Sequence, residues 1–167
     1  MSDALGMPAD EMRRVGHRIV DLVVDHIESL PQQPALSVRP PADLLALLGA
    51  GEPPQSPGDI DELISLLVND VFTSMQHGDH PRYFARVPGP SSFAGVAGDW
   101  LTAGFQAIAA SWGGGSGPTA VELVVVDWFR RMMCMPDGTE GLLLSGGYTA
   151  NLVALAAARA GVRPGGV

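Results

Sequence analysis

Ser145-Gly146-Gly147-Tyr148-Thr149 is the stretch whose residue types and spacing point most directly to chemistry. It lies within Gly141 to Gly161, GLLLSGGYTANLVALAAARAG. Leu142 to Leu144 read as a brief strand and the paired glycines as a tight turn. Leu152, Leu155 and Ala156 then repeat at helical spacing in a helix that begins near Tyr148 or Thr149. The first amides of a helix have no partner inside it, and glycine lets an anion come close to the main chain, so this turn is a candidate phosphate site. An ordinary strand-to-helix connection has the same outline.

A second concentration of functional groups is Gln76 to Pro90, QHGDHPRYFARVPGP, where histidines, arginines and aromatics share an irregular segment. Such groups on a loop are more often functional than the same groups in a core, and Tyr83, Phe84, Arg86, Val87 and Pro88 read as a pocket wall. His77 and His80, with Asp79 as the only nearby acid, complete no recognised ligand spacing, so no metal is expected. Glu122 and Asp127 are too far apart in helical phase to act as a carboxylate pair and read as solvated or capping groups.

The chain holds no lysine: its ten basic residues are all arginine. That excludes a P-loop lysine, a Schiff-base lysine and a lysine general base within these 167 residues. A GC-rich coding bias would produce the same absence. A net charge of −8 without a basic stripe argues against nucleic acid. No apolar run is long enough to span a membrane and no signal peptide is visible, so a cytoplasmic location is expected. The single Cys134, in MMCMP, reads as a buried packing residue.

The elements that must position these groups are mostly helical. With Pro8 in its first turn, a helix is expected to about Leu30. Its apolar stripe is Met12, Val15, Ile19, Leu22, Val23, Ile27 and Leu30, able to pack on another subunit as readily as on its own chain. Proline-rich connections around 31–41 and 52–57 flank a short helix, Ala42 to Leu48, that stops at Gly49. A third helix opens at Ser56 or Gly58 and carries Ile60, Leu63, Ile64, Leu67 and Val71. A small-residue helix is expected over Ser91 to Ala110, a flexible turn over Gly113 to Pro118, and a helix from Thr119 that Met135-Pro136-Asp137-Gly138 terminates. Val162 to Val167 reads as a helix stop and flexible tail, where a chain could be divided without cutting a packed element.

Three blocks, HPRYFARVPGPSSFAGVAGDWL, SWGGGSGPTAVELVVVDWFRRMMCMP and LLLSGGYTANLVALAAARA, resemble in order and spacing the N-terminal third of the group II pyridoxal-phosphate-dependent decarboxylases, the family of aromatic L-amino-acid decarboxylase. EMRRVGHRIVDLVVDHI resembles that family's dimer-forming arm. The resemblance implies an α/β fold incomplete without a complementary chain. Residues 1–90 would be a helical N-terminal arm and pocket loop, and residues 91–167 the first part of an aspartate-aminotransferase-like (fold type I) large domain.

It also implies that Gly146, Gly147, Tyr148 and Thr149 hold the phosphate of pyridoxal 5'-phosphate, with Tyr148 standing where the family usually has Ser or Thr. Phe84, Arg86, Val87 and Pro88 would line the substrate pocket, with Arg86 at a position where an aromatic is common. Ile108 and Ala110 would reach the substrate from across a dimer. The family's ring-stacking histidine, its aspartate on the pyridine nitrogen and its Schiff-base lysine match nothing in this chain, so no catalytic residue is assigned here. The implied assembly is a split enzyme. This chain and a complementary C-terminal decarboxylase chain would share the cofactor in a heterotetramer and convert an L-amino acid, aromatic by resemblance, to an amine and CO2. A non-catalytic dimerisation or regulatory protein, and a split enzyme with changed chemistry such as aldehyde formation, are the alternatives.

Overall fold

The computed structural model describes residues 6–49, 55–56, 58–86, 89 and 91–162. Val87, Pro88, most of the 52–57 connection and the tail after Val162 lie outside them. The chain divides into two compact units, Met1–Ser92 and Phe93–Val167.

In the first unit, α1 spans Ala9–Ser29 and runs into a 3-10 turn, Leu30–Gln32. Pro8 is its N-cap rather than part of its first turn, with ψ at 148°, while Asp10 and Glu11 complement the positive end of the helix. Helix α2 covers Pro41–Leu47, and Gly49 follows at φ +67°, the left-handed geometry that suits a glycine after a helix. Helix α3, Ile60–Leu66, starts later than Ser56 or Gly58. Asp59 takes the cap, its carboxylate accepting the amides of Asp61 at 2.7 Å and Glu62 at 3.1 Å. A π-turn, Leu67–Val71, continues α3 and closes with Phe72 N donating to Leu67 O at 2.8 Å.

Charge ties α1 to α3. Asp61 accepts from both Arg14 and Arg18, and Arg18 also donates to Ser65 Oγ at 2.9 Å. Arg39 pairs with Asp70 of the π-turn at 3.0 Å. The connection between the 3-10 turn and α2 and the loop after the π-turn are held by backbone: Ser37 N to Met75 O at 3.1 Å, His77 N to Ala35 O at 3.0 Å, and an isolated antiparallel bridge between Leu36 and Gln76. Among the described residues, the buried apolar side chains are Val15, Leu30 and Ile64, all in this unit. Of the rest of the α1 stripe, Ile19, Leu22 and Val23 face a cleft of about 1040 Å³ shared with Ile64, Leu67, Phe72 and Met75, while Met12 and Ile27 are exposed.

In the second unit, α4 spans Phe93–Phe105, shorter than the expected Ser91 to Ala110. Gln106, at φ +50°, stops it, with Ala107 N bonding Thr102 O at 3.0 Å in a Schellman-type ending. Helix α5 is Trp112–Met132, so Gly113 to Pro118 is not a free turn. Ser111 caps it by accepting Gly114 N at 3.1 Å, and the disturbance from Pro118 is absorbed as a kink at Gly115. Its C-terminus repeats the Schellman pattern. Cys134 N bonds Arg131 O at 3.0 Å and Met135 N bonds Arg130 O at 2.9 Å, with Cys134 at φ +52°. That position beyond the last turn leaves Cys134 exposed, not buried.

Helix α6 is Gly147–Val162. The strand expected at Leu142 to Leu144 does not form, and among the described residues there is no strand at all, so the expected α/β character is not displayed. A strand exists only through ladder bonds to a neighbour, and these residues have none to pair with. Among the described residues no helix is long and apolar enough to cross a membrane.

The hydrogen bond from Arg14 is the largest influence on the Asp61 carboxyl and, helped by a lesser one from Arg18, holds it below its ordinary value of 3.8 against the opposing effect of burial. A depressed folded-state value means that this contribution is present above pH 3.8 and is lost as pH falls below it. Asp61→Asn should therefore lower the melting temperature at neutral pH. The difference from the parent should shrink in high salt and vanish toward acid pH, as measured by circular dichroism melts across a pH series.

Candidate functional site

The turn before α6 is built by the helix it precedes. Ala150 N donates to Gly146 O at 3.0 Å, closing the first helical ring and leaving the amides of Gly147, Tyr148 and Thr149 outside the intrahelical ladder. Gly146 takes φ +157°, which side-chain-bearing residues rarely adopt. A Cβ added at Gly146 or Gly147 would meet nothing within 4 Å, so the main chain is open to an approaching group. Tyr148 is 96% exposed, its phenol free to swing over the turn. Unpaired amides, glycine geometry and adjacent hydroxyls fit a phosphate, and the partial positive charge at the start of α6 adds to that fit.

Helix α5 places the segment that feeds this turn. Glu122 Oε1 accepts Leu143 N at 2.9 Å, and Gly141 lies so close to α5 that a Cβ there would stand 3.1 Å from Val126 Cγ1. Glu122 is thus a positioning group for the turn, a role its place in the sequence does not announce. Asp127 acts elsewhere. It binds Arg130 at 2.8 Å and Arg131 at 2.7 Å, and Arg130 reaches on to Asp137 at 2.8 Å, securing the end of the helix.

The N-terminus of α5 positions Ile108 and Ala110. Gly115 N and Thr119 Oγ1 both donate to Ser111 O, at 2.9 and 3.3 Å. A Cβ at Gly115 would fall 1.9 Å from Ile108 O, so only glycine allows α5 to approach this backbone so closely. Ile108 is more than half exposed and Ala110 is exposed.

Phe84 and Arg86 belong to the first unit. Phe84 is 89% exposed, and Arg86 has no ion-pair partner among the described residues. The loop that leads to them is firmly set. His80 is buried and accepts Arg82 N at Nδ1 over 3.0 Å, Tyr83 N donates to His80 O at 2.9 Å, and Tyr83 Oη donates to Gln76 Oε1 at 3.0 Å. His77 is buried beside His26, their ring centroids 5.4 Å apart. Burial first, then His26, hold its imidazole below its ordinary value. The predicted site residues thus fall in two sets. Gly146 to Thr149, Ile108 and Ala110 are carried by the second unit, Phe84 and Arg86 by the first, with Val87 and Pro88 outside the described residues.

Glu122→Ala should release the segment before the turn. The expected outcome is faster hydrogen exchange at the Leu143 amide by a factor of about 5, corresponding to about 1 kcal/mol for one hydrogen bond, with α1 and α3 unaffected.

Residues 41–165 match the family described as the pyridoxal-dependent decarboxylase conserved domain. The chain is 39% identical over 159 residues to an aromatic-L-amino-acid decarboxylase of Bacillus atrophaeus, covering 95% of this chain and 33% of that protein. It is 36% identical over 159 residues to tryptophan decarboxylase 2 of Oryza sativa subsp. japonica, covering 92% and 32%. A solved structure of Oryza sativa TDC with PLP and tryptamine superposes with a TM-score of 0.72 at 28% identity, over 81% of this chain and 27% of that one. The chain therefore spans about a third of the length of the curated relatives it matches. With a family match over most of its length, this chain belongs to the pyridoxal-dependent decarboxylases, in the group II family of aromatic L-amino-acid decarboxylase.

Proposed function

We propose that this chain supplies the cofactor-phosphate turn and part of the substrate pocket of a pyridoxal-phosphate-dependent decarboxylase acting on an aromatic L-amino acid, with a second polypeptide supplying the lysine that anchors the cofactor. One conjunction carries the reading: a glycine turn suited to a phosphate stands at the start of α6, in a sequence that has no lysine. On this reading the second unit is the beginning of a fold type I large domain, whose strands form only when the complementary chain provides their neighbours. The assembly is a heterotetramer in the cytoplasm, equivalent to a homodimer of full-length relatives. The exposed apolar side chains of α5 and α6, among them Trp128, Leu152 and Leu155, support this, since they need a second surface to leave water.

When bound, the cofactor would supply the electron sink that loss of the α-carboxylate as CO2 requires. The residues of this chain bind and orient. The amides of Gly147, Tyr148 and Thr149 would hold the phosphate, the Thr149 hydroxyl would add a donor, and the longer Tyr148 phenol would help to exclude water from it. Phe84 presents a ring face to an aromatic substrate, and Ile108 of another copy of this chain, reaching from across the dimer, an apolar wall. Arg86 holds a carboxylate of the complementary chain, since a guanidinium suits bidentate pairing.

Coexpression with a chain carrying the family's large-domain remainder tests the reading. The pair should copurify, show the visible absorbance of lysine-bound cofactor only when both are present, and release amine and CO2 from an aromatic L-amino acid. Gly147→Val, whose side chain would fill the space open to the phosphate and hold it off the amides, should weaken cofactor affinity about 10- to 100-fold, comparable to losing one charge-assisted hydrogen bond of roughly 1.5–3 kcal/mol, while leaving chain association intact. Association without cofactor uptake or amine would establish the non-catalytic interaction protein instead. Decarboxylation by this chain alone would sink the split arrangement.

A further inference from the structure

Beyond the cofactor turn, the first unit brings together three metal-ligating side chains that are not contiguous in sequence. His26 comes from the last turn of α1, and His77 and Asp79 from the loop after the π-turn. One ligand atom from each lies within 4.8 Å of the other two. We propose that His26, His77 and Asp79 bind a divalent transition-metal ion of the zinc class, with a fourth position left to water.

The geometry supports this at each donor. Zinc sits about 2.0–2.2 Å from imidazole nitrogen and carboxylate oxygen, which puts tetrahedral ligand atoms roughly 3.5 Å apart. The three atoms must close by about an ångström, within the reach of side-chain rotation alone. His77 is buried, and its backbone N–H donates a hydrogen bond to Ala35 O at 3.0 Å, so one donor is held in place in advance. His26 and Asp79 are half-buried and keep the freedom to close on it.

All three line the cleft of about 1040 Å³ between α1 and α3, through which an ion and its water can enter. Arg39, a cation lining the same cleft, is already engaged by Asp70. Two imidazoles and one carboxylate favour zinc, cobalt or nickel over magnesium or calcium, which prefer all-oxygen shells. The bound ion ties the last turn of α1 to the loop that leads to Phe84 and Arg86, staking the base of that loop independently of any cofactor.

The test uses the full 167-residue chain, untagged and stripped with a chelator. Cobalt(II) serves as a spectroscopic probe and zinc as the calorimetric ligand. The expected result is one ion per chain, the intense visible d–d bands of a four- or five-coordinate cobalt site, and a melting temperature raised by several degrees with zinc. Asp79→Asn and His26→Gln should each cut affinity at least tenfold and change the cobalt spectrum. Because the buried His77 contributes to packing, these two more exposed positions keep the test decisive even where His77→Ala fails to fold. His17→Ala, on α1 but outside the cluster, should leave binding unchanged. Absence of cobalt bands, or zinc binding that survives both Asp79→Asn and His26→Gln, would overturn the site. Neither measurement depends on decarboxylase activity, so the proposal stands or falls separately from the split enzyme.

Discussion

An apolar side chain contributes to stability only when a second surface removes it from water, and this chain provides few such surfaces to itself. Hydrophobic residues make up 46% of the sequence, yet among the described residues only Val15, Leu30 and Ile64 are buried apolar side chains. Each large aliphatic or aromatic group left exposed forgoes roughly 1.5–3 kcal/mol that burial would supply. The consequences differ between the units. The first has ion pairs and backbone bonds linking α1, α3 and the connection after Gln32. In the second, local hydrogen bonding ends α4 and sets both ends of α5, while the apolar faces of α5 and α6 remain open.

Local polar chemistry therefore does much of the positioning that a core would do elsewhere. Asp59 and Ser111 start their helices by accepting backbone amides, and Gln106 and Cys134 end theirs in left-handed geometry. Two non-glycine residues in that geometry each carry a modest conformational cost, which the paired Schellman hydrogen bonds offset by satisfying carbonyls that a helix end leaves free.

What the sequence reveals follows the range of the interactions involved. The start of α6 is legible because glycine geometry and helix-terminal amides depend on neighbours a few residues away, and the helix begins at Gly147, close to the expected Tyr148 or Thr149. The Leu142 to Leu144 strand is misread because its apolar run specifies extended backbone while strand formation depends on a partner elsewhere. Gly113 to Pro118 is read as a flexible turn, and the backbone does leave helical geometry there at Gly115; what composition does not reveal is that Ser111 caps a helical turn ahead of that break. The α1 stripe is read correctly as apolar, but periodicity cannot say how little of it the chain itself covers. Tertiary juxtapositions are the least visible: nothing in the spacing of His77, Asp79 and His80 indicates that His26, and not His80, is the neighbouring donor. Likewise nothing marks Glu122 as the partner of the Leu143 amide.

Helix α5 touches both segments that carry the second unit's site candidates, through Gly115 against the Ile108 carbonyl at one end and through Glu122 and Val126 against Leu143 and Gly141 further along. It works as a common ruler. The spacing between the two segments proposed as substrate wall and phosphate turn is then set by helical rise, about 1.5 Å per residue, rather than by two independently adjustable loops. A displacement of this helix, whatever its origin, moves both ends in register. Ligand specificity and cofactor retention would consequently vary together across sequence changes in α5, and selection on either property would be felt by the other.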